Sequence, residues 1–433
     1  MDVEIQNSGK IEGEIEVPGD KSITHRALIF GAICKGDVTV YNPLKSQDCK
    51  ATVDCLRKLG VEIIQKEEKF TVKGRGGEFE EPDDVLDCGN SGTTMRILSG
   101  LLASQKFYSI LTGDDSLRKR PMRRIIEPLR LMGAKIFGRS NDNFPPITII
   151  GNELRSVIYK LPVASAQVKS CLILASLFAE GTSEIEEPGI SRDHTERMVK
   201  YLSGKIEKRG RKIFVSGKQS LEGKEIFVPG DFSSASFFIT LAALIKNSYI
   251  KIKNLGLNPT RTGFLEVIKR MGVKFRISNL RQMNNEPVGE LEVWGSEKMK
   301  GTKIDKNEIP LLIDEIPLIS LISCFCDGET EITGAKELRF KESDRLKAIN
   351  SELTKMGADI TEMEDGLIIK GIKKLKGAEL NSWNDHRIAM MLTIAGCVAD
   401  GKTVVRNVDC VDVSFPEFFN LLGKLGVKFR IIK

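Results

Sequence analysis

The stretch Pro18-Gly19-Asp20-Lys21-Ser22-Ile23-Thr24-His25-Arg26-Ala27-Leu28-Ile29-Phe30 has an altered copy in Pro229-Gly230-Asp231-Phe232-Ser233-Ser234-Ala235-Ser236-Phe237-Phe238-Ile239. In both, a valine (Val17 or Val228) closes an expected strand, Pro-Gly turns the chain, and small hydroxylated residues open an apolar helix. The first copy carries Lys21, Ser22 and Arg26 where the second has Phe232, Ser233 and Phe237. Free N–H groups and the dipole at a helix start already favour negative charge, so cations beside one make it a candidate anion site.

Between and beyond these turns a helix end followed by a strand start recurs. It reads Leu59-Gly60-Val61, Met132-Gly133-Ala134, Met271-Gly272-Val273, Met356-Gly357-Ala358 and Leu425-Gly426-Val427, with a degenerate copy in Leu202-Ser203-Gly204. The six glycines lie 68 to 85 residues apart, which makes the chain a sixfold repeat. Glycine suits a left-handed helix end, and the β-branched residues after it begin a strand. Each unit thus alternates helix and strand, the pattern of an α/β fold. About three repeats separate the two Pro-Gly-Asp turns. The expected division is a continuous domain of residues 20–230 and a discontinuous one of residues 1–19 plus 231–433, three repeats each, with a hinge at the turns and an active site in the cleft between them.

At 433 residues, 41% hydrophobic and 29% charged, the chain reads as an ordinary globular protein of two domains. The net charge of +6 is spread along the chain and aromatics are only 6%, which argues against bulk nucleic-acid binding and suits small acidic substrates. Nine cysteines, an odd number, fall mostly in apolar runs; they read as reduced thiols of a cytoplasmic protein. The three histidines (His25, His194, His386) are far apart and Cys324-Phe325-Cys326 is too tight for zinc, so no metal is expected. Neither a targeting segment nor a membrane span is read. Gly31 to Gly36 lacks the lysine of a P-loop and Gly74-Arg75-Gly76-Gly77 lacks the third dinucleotide glycine, so no nucleotide cofactor is inferred.

Other charged or polar helix starts stand out, each with a plainer alternative. Asp87-Cys88-Gly89-Asn90-Ser91-Gly92-Thr93-Thr94-Met95-Arg96 could let backbone N–H groups approach an anion, or simply cap a helix. Leu117-Arg118-Lys119-Arg120-Pro121-Met122-Arg123-Arg124 is a solvated charge run unless the proline aims one cation, most naturally Arg120. Pro162 to Ser170 and Ile190 to Thr195 also read as caps or anion-friendly starts. In Arg339-Phe340-Lys341-Glu342-Ser343-Asp344-Arg345-Leu346, Lys341 and Arg345 are expected four apart on one helical face. Asn384-Asp385-His386-Arg387 opens a strongly apolar helix, where three ionisable residues have little reason to stand unless they line a site.

Seven collinear runs resemble the 5-enolpyruvylshikimate-3-phosphate synthases (3-phosphoshikimate 1-carboxyvinyltransferases). They are Pro-Gly-Asp-Lys-Ser-x-x-x-Arg-Ala (18–27), Gly-Asn-Ser-Gly-Thr-Thr-Met-Arg (89–96), Arg-Pro-Met (120–122), Ser-Ala-Gln-x-Lys-Ser (165–170), Ser-Arg-Asp-His-Thr-Glu (191–196), Lys-Glu-Ser-Asp-Arg-Leu (341–346) and Asn-Asp-His-Arg-x-Ala-Met (384–390). The resemblance covers essentially the whole chain. It implies an α/β fold of two domains, each of three repeated βαβαββ units, the inside-out α/β barrel of the enolpyruvyl transferases. It further implies a transferase of aromatic amino acid biosynthesis (the shikimate and chorismate pathway), cytoplasmic, monomeric and a glyphosate target. Phosphoenolpyruvate and shikimate 3-phosphate would be its substrates, with no metal or organic cofactor, and no nucleic acid or membrane as partner.

By similarity Lys21, Ser22, Arg26, Ser165, Gln167, Arg192, Asp314 and Lys341 would hold shikimate 3-phosphate. Lys21, Asn90, Gly92, Arg120, Gln167, Arg345, His386 and Arg387 would hold phosphoenolpyruvate, the arginines because planar forks match carboxylate and phosphate. Asp314 matches the family's base, and Glu342 and Lys21 are both open as the acid. Gly92 implies sensitivity to glyphosate, while Ile97 stands where many sensitive members have proline. Val413-Ser414-Phe415-Pro416 lacks a lysine that some members use for phosphoenolpyruvate. A sister transferase acting on UDP-N-acetylglucosamine would be expected to show Asn after the first lysine and a cysteine in the 114–120 loop; this chain has Ser22 and no cysteine there. A non-enzymatic phospho-ligand or RNA-binding repeat protein would have no need of Asp314 and Glu342.

Overall fold

The helix–glycine–strand junctions are left-handed at their glycines, with φ of 81° at Gly60 and 95° at Gly272, a conformation that a Cβ would strain. At the degenerate junction Ser203 (φ 68°) takes the left-handed position instead. Gly204 is required there for room, because a Cβ on it would stand 2.5 Å from Val199 Cγ1.

The computed structural model describes residues 1–432, and the chain divides into two units, each with its own apolar core. One comprises Met1–Pro18, Pro229–Arg281 and the segment from Pro287 onward; the other comprises Gly19–Val228 and Gln282–Glu286. Each holds three four-stranded sheets. A typical one runs Leu86–Asp87, Tyr108–Thr112, Phe144–Ile150, Lys135–Gly138, its first pair parallel and the other two antiparallel. Inside the sheets of one unit lie the helices Lys21–Ile33, Gly92–Leu102 and Ala166–Phe178; inside those of the other lie Phe232–Leu244, Ile316–Ser323 and His386–Val398. All six are buried almost all round, which explains why their sequences show no narrow apolar stripe. Helices inside and sheets outside make each unit an inside-out α/β barrel. Among the described residues no helix is long and apolar enough to cross a membrane.

Several expectations need correcting. The N-terminus supplies two strands rather than one. Glu12–Glu16 pairs parallel with Tyr249–Gly256, and Asp2–Ile5 lies between Thr403–Arg406 and Phe429–Ile432, completing the last repeat. The fourth repeat is longer because its strands, Lys274–Met283 and Glu286–Trp294, have 10 and 9 residues. Its tip, Gln282–Glu286, groups with the continuous unit and not with residues 231–433; two left-handed asparagines, Asn284 and Asn285, turn it. Lys341 and Arg345 do not share a helical face, since Lys341 is the extended residue that ends the turn Lys336–Phe340 and the helix begins only at Arg345. The run 117–124 is split likewise: Leu117–Lys119 is a 3-10 turn, Arg120 is extended, and the helix begins at Arg123.

Candidate active site

In the continuous unit the motifs converge on three inner-helix starts. Asp20 caps the first, accepting from Ile23 N at 2.8 Å, and so presents Lys21 and Ser22 at its opening turn. Lys21 Nζ pairs with Asp48 Oδ2 at 2.8 Å. Arg26 is buried and donates Nη1 to Ser22 O (2.9 Å), Nη2 to Ser170 Oγ (2.7 Å) and Nε to Thr195 Oγ1 (2.7 Å). Burial pulls its pKa down to about 10, against the pull of Glu196 and Asp20. Its geometry is that of a brace beneath Ser22, tying the first helix to the third and to the helix His194–Tyr201. Arg192 is half-buried, and its charge adds to the downward push on Arg26.

The second helix start gathers the predicted phosphoenolpyruvate group. Ser91 caps it by accepting from Thr94 N (3.2 Å), and Arg120 Nη2 donates to Asn90 Oδ1 at 2.7 Å. Gly92 stands against two guanidiniums: a Cβ there would lie 3.1 Å from Arg96 Nη1 and 3.4 Å from Arg120 Nη1. Arg96 also donates to Gln167 Oε1, and Gln167 Nε2 donates to Thr93 Oγ1 at 2.9 Å. Asn90, Gly92, Arg120 and Gln167 therefore form one cluster, and Ser165 caps the third helix by accepting from Val168 N (3.5 Å).

Arg96, Asp48 and Lys169 were not picked out from the sequence. Arg96 and Lys169 stand within the runs 89–96 and 165–170, which is the sequence signal that points to them. Lys169 is fully buried between Glu187 Oε1 (3.0 Å) and Glu196 Oε1 (2.8 Å). His25, in the first motif, is structural: burial pushes its pKa down to about 3, so it is neutral, and its Nδ1 lies 2.7 Å from Thr52 Oγ1.

In the discontinuous unit Arg345 is the hub. Its side chain is 2% exposed, and it reaches three carboxylates: Asp385 Oδ2 from Nε at 2.8 Å, Glu342 Oε2 from Nη2 at 2.6 Å, and Asp314 Oδ1 from Nη1 at 3.4 Å. Burial opposes the charge, but the three carboxylates outweigh it and hold the guanidinium above its ordinary pKa. Arg387 Nη2 stands 3.4 Å from the other oxygen of Asp314, so that carboxylate lies between two cations. Asp314 sits between the short helix Ile309–Leu312 and the helix Ile316–Ser323, 13% exposed. Burial pushes the Lys341 amine down to about 8, opposed mainly by Asp314. His386 is buried in the first turn of the helix that Asp385 caps, Arg387 N donating to Asp385 Oδ1 at 2.9 Å. The turn Val408–Val413 ends without a basic residue, leaving the missing lysine contact unreplaced there. Among the described residues no group of three or more His, Cys, Asp or Glu is arranged to hold a metal ion.

Two threefold barrels with helices inside, each offering cations and titratable groups at inner-helix starts, define an α/β transferase of the enolpyruvyl transferase type. The family model for EPSP synthase (3-phosphoshikimate 1-carboxyvinyltransferase) matches residues 5–422. The chain belongs to that family. A relative named 3-phosphoshikimate 1-carboxyvinyltransferase from Petrotoga mobilis is 49% identical over 430 residues, 98% of this chain and 99% of its own length. One of the same name from Thermoanaerobacter sp. is 48% identical over 425 residues, 98% of this chain and 100% of its own. A solved EPSP synthase from Acinetobacter baumannii superposes with a TM-score of 0.89 at 41% identity, covering 100% of both chains.

Proposed function

We propose that this chain transfers the enolpyruvyl group of phosphoenolpyruvate to the 5-hydroxyl of shikimate 3-phosphate and releases inorganic phosphate. The hydroxyl oxygen adds to the enol carbon while the methylene carbon takes a proton. Loss of phosphate and of a methyl proton then restores the double bond as an enol ether. Both substrates carry phosphate and carboxylate, which accounts for cations at so many helix starts. On this reading Lys21, Ser22, Ser165, Gln167, Arg192 and Lys341 receive shikimate 3-phosphate, with Arg26 acting through Ser22. Asn90, Gly92, Arg120, Gln167, Arg345, His386 and Arg387 receive phosphoenolpyruvate.

The observation that carries the reading is the Asp314 carboxylate between Arg345 and Arg387, 3.4 Å from each. The carboxylate is the group that accepts the hydroxyl proton, and the two guanidiniums beside it match the carboxylate and phosphate of phosphoenolpyruvate. Glu342, 2.6 Å from Arg345, and Lys21, 2.8 Å from Asp48, are the two candidates for the acid that protonates the methylene carbon. The chain is proposed to act as a cytoplasmic monomer. The deciding experiment measures phosphate release from phosphoenolpyruvate with shikimate 3-phosphate and, separately, with UDP-N-acetylglucosamine. Release only with the first is expected; release only with the second, or with neither, would overturn the proposal.

A further inference from the structure

The residues just before Asp385 adopt a backbone that needs an explanation. Trp383 (φ 56°) and Asn384 (φ 52°) are consecutive left-handed residues, and neither is glycine. L-residues avoid this region, and a bulky side chain does so most strongly, so surrounding contacts must over-determine the turn. They do. Trp383 Nε1 donates to Glu352 Oε1 at 2.9 Å, and Asn381 N donates to Glu352 Oε2 at 2.9 Å. Asn381 Oδ1 in turn accepts from Trp383 N at 2.7 Å, and Ser382 Oγ accepts from Asn384 N at 3.1 Å.

The Glu352 carboxylate is 1% exposed and is also bonded by Lys355 Nζ at 2.8 Å, so every oxygen is used. Glu352 lies seven residues after Arg345 on the helix Arg345–Lys355, two turns along the same face. That face therefore grips the segment 381–385 at both ends. Glu352 holds Asn381 and Trp383, and Arg345 holds Asp385 at 2.8 and 3.3 Å. A shift at the Glu352 end would carry the left-handed pair, and with it the start of the helix bearing His386 and Arg387.

We infer that Glu352 and Trp383 are positioning residues for phosphoenolpyruvate: their contact holds the 381–385 turn in its left-handed form so that Asp385 meets Arg345 and Arg387 meets Asp314. Neither touches substrate. The inference rests on the reaction proposed above. It deepens that reading by giving a role to two residues outside the resembling motifs.

The test compares Trp383→Phe, which keeps the ring and removes only the Nε1–H donor, with the wild type in steady-state phosphate release. A lost hydrogen bond to a buried charged acceptor should raise the KM for phosphoenolpyruvate roughly tenfold. The KM for shikimate 3-phosphate should rise much less, because most of its proposed contacts come from residues 21–192, which are not linked to this turn, and only Asp314 and Lys341 lie near it. A merely structural role would lower the unfolding temperature and leave both KM values alone; that result, or an equal rise in both, overturns the inference. If Trp383→Phe does not fold, Glu352→Gln, which keeps the shape and one acceptor, decides by the same two KM values. A wild type that releases no phosphate would instead count against the proposed reaction.

Discussion

Gly92→Ala probes the proposed phosphoenolpyruvate cluster with one methyl group. The added Cβ would lie 3.1 Å from Arg96 Nη1, 3.4 Å from Arg120 Nη1 and 3.7 Å from Leu117 Cδ1. The first contact is tighter than carbon and nitrogen tolerate, so Arg96 must withdraw by a few tenths of an ångström. It is not free to do so without cost, since it is bonded to Gln167 Oε1 and to Pro121 O at 3.3 Å. Arg120 is likewise held by Asn90 at 2.7 Å and Ser116 at 3.2 Å. Disturbing one or two such bonds costs about 1–2 kcal/mol, or roughly 5- to 30-fold in affinity for a ligand that relies on those guanidiniums. The fold should not suffer, because residue 92 opens the helix Gly92–Leu102 and alanine favours a helix over glycine by up to about 1 kcal/mol. Glyphosate is longer than phosphoenolpyruvate and should meet the methyl group more severely. The assay is the glyphosate inhibition constant and the phosphoenolpyruvate KM at saturating shikimate 3-phosphate, wild type against variant. The inhibition constant should rise by more than the KM. Ile97 is fully buried within the same helix, so its role there is packing. Equal changes in the two constants, or a wild type that resists millimolar glyphosate, would refute the reasoning.

Asp314→Asn should keep shikimate 3-phosphate binding, read by calorimetry, and lose roughly two or more orders of magnitude in turnover, the scale of a lost general base; near-normal turnover removes Asp314 from the chemistry. Lys341, lowered from 10.5 to about 8, should lose its charge as pH rises through 8, so kcat/KM for shikimate 3-phosphate should fall above that pH and Lys341→Met should lack this limb. Its contribution to stability has the opposite sign: between pH 8 and 10.5 the unfolded chain binds more protons than the folded one, so this lysine makes the fold more stable as pH climbs through that window, measurable by urea unfolding. Lys169→Met should leave Glu196 buried without its cation, while Glu187 keeps Lys208 at 3.2 Å, and cost about 3–5 kcal/mol in chemical denaturation; a loss under about 1 kcal/mol would mean Glu196 finds another partner.

What the residues determined unaided is local. A glycine after an apolar helix end favours a left-handed backbone, so the six junctions and the sixfold α/β plan are legible in the sequence, and only at the sixth does the left-handed residue, Ser203, stand one place before the glycine. The Pro-Gly-Asp turns and the Ser and Asp caps depend on neighbours three or four residues away, and they stand where the sequence put them. Even the anomalous spacing before Gly357 was legible as a number, though not as a long hairpin whose tip groups with the continuous unit. The rest depends on closing long loops, which no local preference encodes. Asp2–Ile5 completes a sheet with strands about 400 residues away. Glu342 is a neighbour of Arg345 in sequence, but Arg345 meets the carboxylates of positions 314 and 385 only because segments distant in sequence converge within one barrel. The helical spacing read into Lys341 and Arg345 failed because Asp344 caps the helix one residue before Arg345. Lys169, at a position that reads as ordinary helix, is fully buried only because the loop carrying Glu187 and the helix carrying Glu196 fold over it. Sequence chose the chemistry available at each helix start, because caps and turns are decided within a few residues; tertiary packing chose which charges meet, because a buried ion pair exists only once distant segments have excluded water around it.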